Sequence, residues 1–172
     1  MLISRHLSLI NIRPNMFEVI MYLFESYMQM EQTIEIDAHE ITDELLEEGF
    51  QKSDINKALA WLDNFTHLQE QDPENRTQQQ ATTSQRIYSQ IEQQHLDGEC
   101  RGYIAYLEEA NLLNTHTREL VIDCVMSLEL ETLPLYQLKW LILLVLFNDP
   151  QSTDAFIQFE SMLLDFEDGL IH

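Results

Sequence analysis

LPLYQLKWLILLVLFNDP, Leu133 to Pro150, is the most apolar stretch of the chain, and every residue from Trp140 to Phe147 is non-polar. Prolines mark both of its ends. Pro134 suits the first turn of a helix, where its missing N–H would be unpaired in any case. Pro150 disfavours helical geometry at the residue before it, so Asn148-Asp149-Pro150 reads as a stop. A helix apolar on all sides lies either in a protein core or in a membrane. A membrane span needs roughly 20 apolar residues; this run is shorter and contains Lys139. The rival is a buried strand, but strands usually run about 4–8 residues and favour β-branched side chains, whereas this run is rich in leucine. The stretch therefore reads as a central buried helix over 134–148, with Leu138, Trp140, Leu141, Leu143, Leu144 and Phe147 in the core.

The rest of the chain reads as wrapping for that helix. Its 172 residues suffice for one sizeable core or two small ones. Four glycines and four prolines punctuate it sparsely, which fits helices better than sheets. The expected class is all-α: a helical bundle with a winged-helix-like amino-terminal unit and room for a short two- or three-strand wing.

Four segments are expected. Residues 1–15 carry Arg5 and Arg13 and no acids; they read as either a flexible extension or an upstream mis-start. Residues 16–68 form the first helical unit. Phe17, Ile20, Met21, Phe24, Tyr27 and Met28 share one helical face. Gln32 to Asp37 alternates like a short strand, and Asp37 with Glu40 forms an acidic capping box. Ile41, Leu45 and Leu46 make the next apolar face, closed by Gly49 as carboxy-terminal cap with Phe50 as its hydrophobic contact. Ser53 is expected to cap a helix burying Ile55, Ala58, Leu59, Leu62 and Phe65, with Trp61 at its edge. Two helices around a glycine turn give a helix-turn-helix outline.

Residues 69–85, QEQDPENRTQQQATTSQ, hold almost no apolar side chain. Such a stretch buries too little surface to offset its ordering entropy, so it reads as a flexible linker. Residues 86–172 form the second unit. Arg86-Ile87-Tyr88 reads as a strand returning to the first unit, and Ser89 with Glu92 as a capping box. A helix from Glu99 to Asn111 buries Tyr103, Ile104 and Leu107. After a turn at Asn114-Thr115, the next places Leu120, Val121, Cys124, Val125 and Leu128 on one face. Beyond the central helix, Ser152 or Thr153 caps a last one striped by Phe156, Phe159, Leu163 and Phe166 and ending near Gly169.

Charge narrows the function. The net charge is −21, and from Met16 onward seven lysines and arginines face thirty carboxylates. Such a field repels phosphate backbones and anionic membranes and favours basic partners or simple solubility. Cys100 and Cys124, 24 positions apart, form no CxxC pair, so no metal site is expected. Cys124 reads as a core residue. Glu92 and His95 stand at ExxH spacing near Glu99 and Cys100, but the better reading is an exposed polar helix end. His116 is expected to face solvent, and His39 and His67 have no partner motif. Tyr103, Tyr106, Trp61 and Trp140 could stack bases, yet stacking platforms accompany basic grooves, so core roles are expected. No glycine-rich phosphate loop or GxSxG serine occurs. No catalytic residue and no cofactor is assigned.

MFEVIMYLFE, the GF turn followed by DINKALAWLDNF, RIYS, RGYIAYLE, NTHTRELVID and LKWLILLVLFN, taken in that order, resemble the Smg family of bacterial proteins. The resemblance covers Met16 to His172, and the family's usual start falls at Met16. It implies no activity, catalytic residue or cofactor. It does imply a gene neighbourhood shared with a DNA-processing protein, which is association and not mechanism. The expectation is an acidic, non-enzymatic protein-interaction module in the cytoplasm, with a protein partner of basic character, no direct nucleic acid and no membrane. The alternative is a winged-helix DNA-binding or DNA-processing accessory protein, whose recognition face and wing would use Lys52, Lys57 and Arg86.

Overall fold

The computed structural model describes residues 15–29, 38–70, 86–128 and 130–169. The described residues form helices and no strand: α1 (Met16–Gln29), α2 (Ala38–Glu47), α3 (Lys52–Glu70), α4 (Gln90–His95), α5 (Gly98–Glu109), α6 (Thr115–Met126), α7 (Leu135–Asn148) and α8 (Thr153–Gly169). The chain divides into two compact units, residues 1–67 and 68–172, with the division inside α3.

In the first unit, α1 buries Phe17, Val19, Ile20, Met21, Leu23 and Phe24. Asn15 belongs to this helix and not to an amino-terminal extension. Its side-chain oxygen accepts the N–H groups of Phe17 and Glu18, and its own N–H donates to Glu18 Oε2 at 3.2 Å. This is a reciprocal cap of the kind that satisfies the unpaired donors of a first turn. Residues 1–14, and the strand and Asp37 cap expected over 32–37, lie outside the described residues.

α2 ends as its glycine dictates. Gly49 has φ +96, a region that L side chains avoid. The Phe50 N–H donates to the Leu45 carbonyl and the Gly49 N–H to that of Leu46. That pair of bonds is a Schellman cap, and the two residues that flank it, Leu45 and Phe50, are both buried. The edge-to-face rings of Tyr22 and Phe50, 5.7 Å apart, tie α1 to this turn. α3 opens two residues earlier than its serine implies. The carbonyl of Gln51 accepts the N–H groups of Asp54 and Ile55, so Ser53 lies within the first turn. Trp61 is no edge residue: at 5% exposure it belongs to the buried face with Ile55, Ala58 and Phe65, and its ring stacks on Phe65 at 5.6 Å. Leu59 and Leu62 take the half-buried margin instead.

Helix α3 continues through Gln69 and Glu70, so those two residues leave the expected linker. The remainder, 71–85, lies outside the described residues. Arg86 to Ser89 is irregular and not a wing strand. Arg86 is held by ion pairs and by the Tyr88 ring, Ile87 is exposed, and the backbone runs straight into the cap of α4. A winged helix is therefore not supported, while the all-α class is.

In the second unit, α7 packs against α5, α6 and α8, and α4 and α5 pack against α6. Pro134, with ψ 149, is the N-cap of α7 and not its first helical residue. Leu141 to Leu146 are all buried, as is Leu138. The covering is incomplete towards its ends. Tyr136 and Phe147 are each 44% exposed, and Lys139 and Trp140 are half-buried. Leu143 and Leu144, between Trp140 and Phe147, are buried, so the exposure is confined to the two ends of the helix. Phe147, expected in the core, instead meets Phe156 of α8 edge to face at 5.4 Å, and Trp140 is only partly covered. On α8, Phe159 is fully buried, while Phe156 and Leu163 are half-buried. The Ser152 hydroxyl donates to Asp149 in the preceding turn. No helix among the described residues is long and apolar enough to cross a membrane.

Candidate functional site

Among the described residues, a cluster of paired charges joins α4, α5 and α6. Arg86 is presented by the irregular segment ahead of α4. Its Nη2 donates to Glu92 Oε1 at 2.7 Å and its Nε to Glu119 Oε1 at 2.8 Å. Arg118, on α6, donates to Glu108 of α5 at 2.6 Å and to Glu119 at 2.7 Å. Glu119 is thus shared by two guanidiniums. The arginines are well covered, at 17% and 13% side-chain exposure, so these pairs are less screened than surface ones.

Local structure explains the placement. Ser89 and Glu92 form the expected capping box, with the Glu92 N–H donating to the serine and the Ser89 N–H donating to Glu92 Oε2 at 2.7 Å. The carboxylate that caps α4 is the one that receives Arg86. Bonds from Arg86 hold Glu92 down to about 2, and in return Glu92 and Glu119 keep the guanidinium firmly charged. Burial pushes Glu119 upward, but bonds from Arg86 and Arg118 outweigh it and leave the group below its usual range. The Tyr88 ring lies 4.7 Å from the Arg86 guanidinium carbon and 5.9 Å from that of Arg101. The cluster is built of arginines and glutamates paired with one another. Chemically it joins helices through charge-assisted bonds.

Arg86, expected with Lys52 and Lys57 on a recognition face, makes its described bonds within the second unit. Its guanidinium is committed to two carboxylates in the second unit, whereas the exposed Lys52 and Lys57 are on α3 in the first. Nor is His95 an exposed polar helix end. It is half-buried, its Nδ1 lies 2.8 Å from the Leu130 carbonyl, and its own carbonyl accepts the Leu133 N–H. His95 fastens the connection between α6 and α7. His116 is half-buried as well, not fully turned to solvent. Among the described residues, no three His, Cys, Asp or Glu side chains group to hold a metal ion.

Both cysteines are buried and free. Cys100 Sγ lies 3.4 Å from the Leu133 carbonyl, and burial, with Asp97 nearby, pushes its thiol up to about 12. Burial raises Cys124 further. These are core thiols of low reactivity. Tyr103 lies 6.2 Å from Tyr106, ring to ring, with Lys139 Nζ 5.2 Å from its centroid. Burial raises Tyr103 to about 12. Its hydroxyl, and Oε1 of the buried Gln137, have no hydrogen-bond partner among the described residues. Tyr106 is 53% exposed and so is not core.

A family described as a protein of unknown function, DUF494, matches residues 16–172. The Protein Smg homolog of Vibrio vulnificus (strain YJ016) is 44% identical over 158 residues, covering 91% of this chain and 99% of the relative. That of Alteromonas mediterranea is 44% identical over 158 residues, 91% of this chain and all of the relative (100%). The Protein Smg homolog of Vibrio cholerae (strain M66-2) is 43% identical over 157 residues, with 91% and 99% covered. No solved structure matches. With these relatives matched over 99% or more of their length, the chain belongs to the Smg family of bacterial proteins.

Proposed function

We propose that this Smg-family chain is a non-enzymatic, acidic interaction module that works in the cytoplasm and binds a protein of basic character. The observation that carries this is the disposition of its charges. Four of the six lysines and arginines among the described residues are held against the protein's own groups: Arg86 and Arg118 by carboxylates, Arg101 by the Leu96 carbonyl at 2.8 Å, and Lys139 over the Tyr103 ring. Carboxylates such as Glu40, Asp43, Glu44, Glu47, Asp63, Glu99 and Glu109 are exposed. A surface so biased steers basic partners towards it and repels polyanions. A direct reader of DNA needs its arginines against phosphates, and here Arg86 and Arg118 act as struts between helices.

The test is recovery of a partner followed by reconstitution. The immobilised chain is equilibrated with cell extract at low salt, eluted with a salt step, and the recovered protein is purified and titrated back by calorimetry. The expected result is a basic protein whose affinity falls as salt screens the pair. Turnover of a small molecule by the purified chain, with no protein that binds it on reconstitution, would overturn the proposal.

A further inference from the structure

We draw no further inference here: the strongest candidate, the outward face of α2, where the exposed Glu40, Asp43, Glu44 and Glu47 line one stripe beside the 42%-exposed Leu46, is a carboxylate cluster with no second observation that points to a ligand, and nothing in the structure shows what covers it.

Discussion

Arg86 Nε and Glu119 Oε1 stand 2.8 Å apart although 33 positions of sequence separate the two residues. The bond ties the segment entering α4 to the middle of α6, and Glu92 completes the clamp from α4 itself. Exposed ion pairs contribute roughly 0–1 kcal/mol, and breaking a fully buried one costs about 3–5 kcal/mol. With the arginine mostly covered and Glu119 at 40% side-chain exposure, Arg86→Ala should fall between, at about 1–3 kcal/mol. Urea unfolding checks this. A loss below roughly half a kcal/mol would make the cluster surface decoration.

The same clamp makes stability depend on pH. In the unfolded chain Glu92 titrates near the ordinary value of about 4.3, and in the folded protein it is held down to about 2. A depressed carboxylate contributes stability that is present above the unfolded value and lost as pH falls through the folded one. The stability difference between the natural chain and Glu92→Gln should therefore be constant from pH 7 to 5 and shrink steadily below about 4.5. Unfolding midpoints measured in parallel for both proteins decide it. A gap that persists unchanged to pH 3 would show that the charge on Glu92 is not what stabilises.

Two left-handed caps respond oppositely to substitution. Gly49 has φ +96, and a Cβ added there would meet nothing within 4 Å. Gly49→Ala should still cost about 1–2 kcal/mol, from backbone strain alone. Asn111, at φ 57, closes α5 with the same pair of bonds, Leu112 N–H to the Leu107 carbonyl and Asn111 N–H to that of Glu108. Asparagine tolerates this conformation less well than glycine, so Asn111→Gly should be neutral or stabilise by up to about 1 kcal/mol. Thermal melts of both variants test the pair. A stabilising Gly49→Ala would contradict the assigned geometry.

These elements show what can be read from one sequence. Gly49 and the Ser89–Glu92 box are legible because a cap is a matter of a few adjacent residues. Leu141 to Leu146 are legible because a fully apolar run has few places to go. The clamp is not, because nothing local announces that Arg86 will meet Glu119. Arg86-Ile87-Tyr88 resembles a strand by residue type, but the side-chain contacts of Arg86 and Tyr88 hold it in irregular form. Trp61 and Phe147 exchange roles for a similar reason: periodicity names a face, while the neighbouring helices decide how much of it is sealed. His95 serves a carbonyl 35 positions away, which its ExxH spacing could not reveal.

That uneven sealing gives a graded mutational series along α7. Leu141 is fully buried and Leu143 and Leu144 are each 3% exposed, whereas Phe147 is 44% exposed. Leucine truncation at the first three should cost about 2–5 kcal/mol, the range for deep cavities. Phe147→Ala should cost less than any of them, since much of its ring already meets water. Denaturant unfolding of the four variants gives the order. Equal losses at Phe147 and Leu141 would mean that Phe147 is covered in solution.

The last expectation concerns nucleic acid. Specific and non-specific DNA binding both draw on lysines and arginines that neutralise phosphates and release counterions. From Met16 onward the chain has seven such residues against thirty carboxylates. Arg86 and Arg118 are paired with Glu92, Glu108 and Glu119, and Arg101 is bonded to the Leu96 carbonyl. Lys52 and Lys57 are exposed on α3, but so few basic residues in so negative a field should give little affinity at physiological salt. Fluorescence anisotropy of generic duplex and single-stranded DNA should show no saturation at micromolar protein, whether at low or physiological salt. Arg86→Ala should leave this unchanged, because its guanidinium faces the protein's own carboxylates. Sub-micromolar binding at physiological salt would refute the proposed acidic module and bring a direct DNA role to the front.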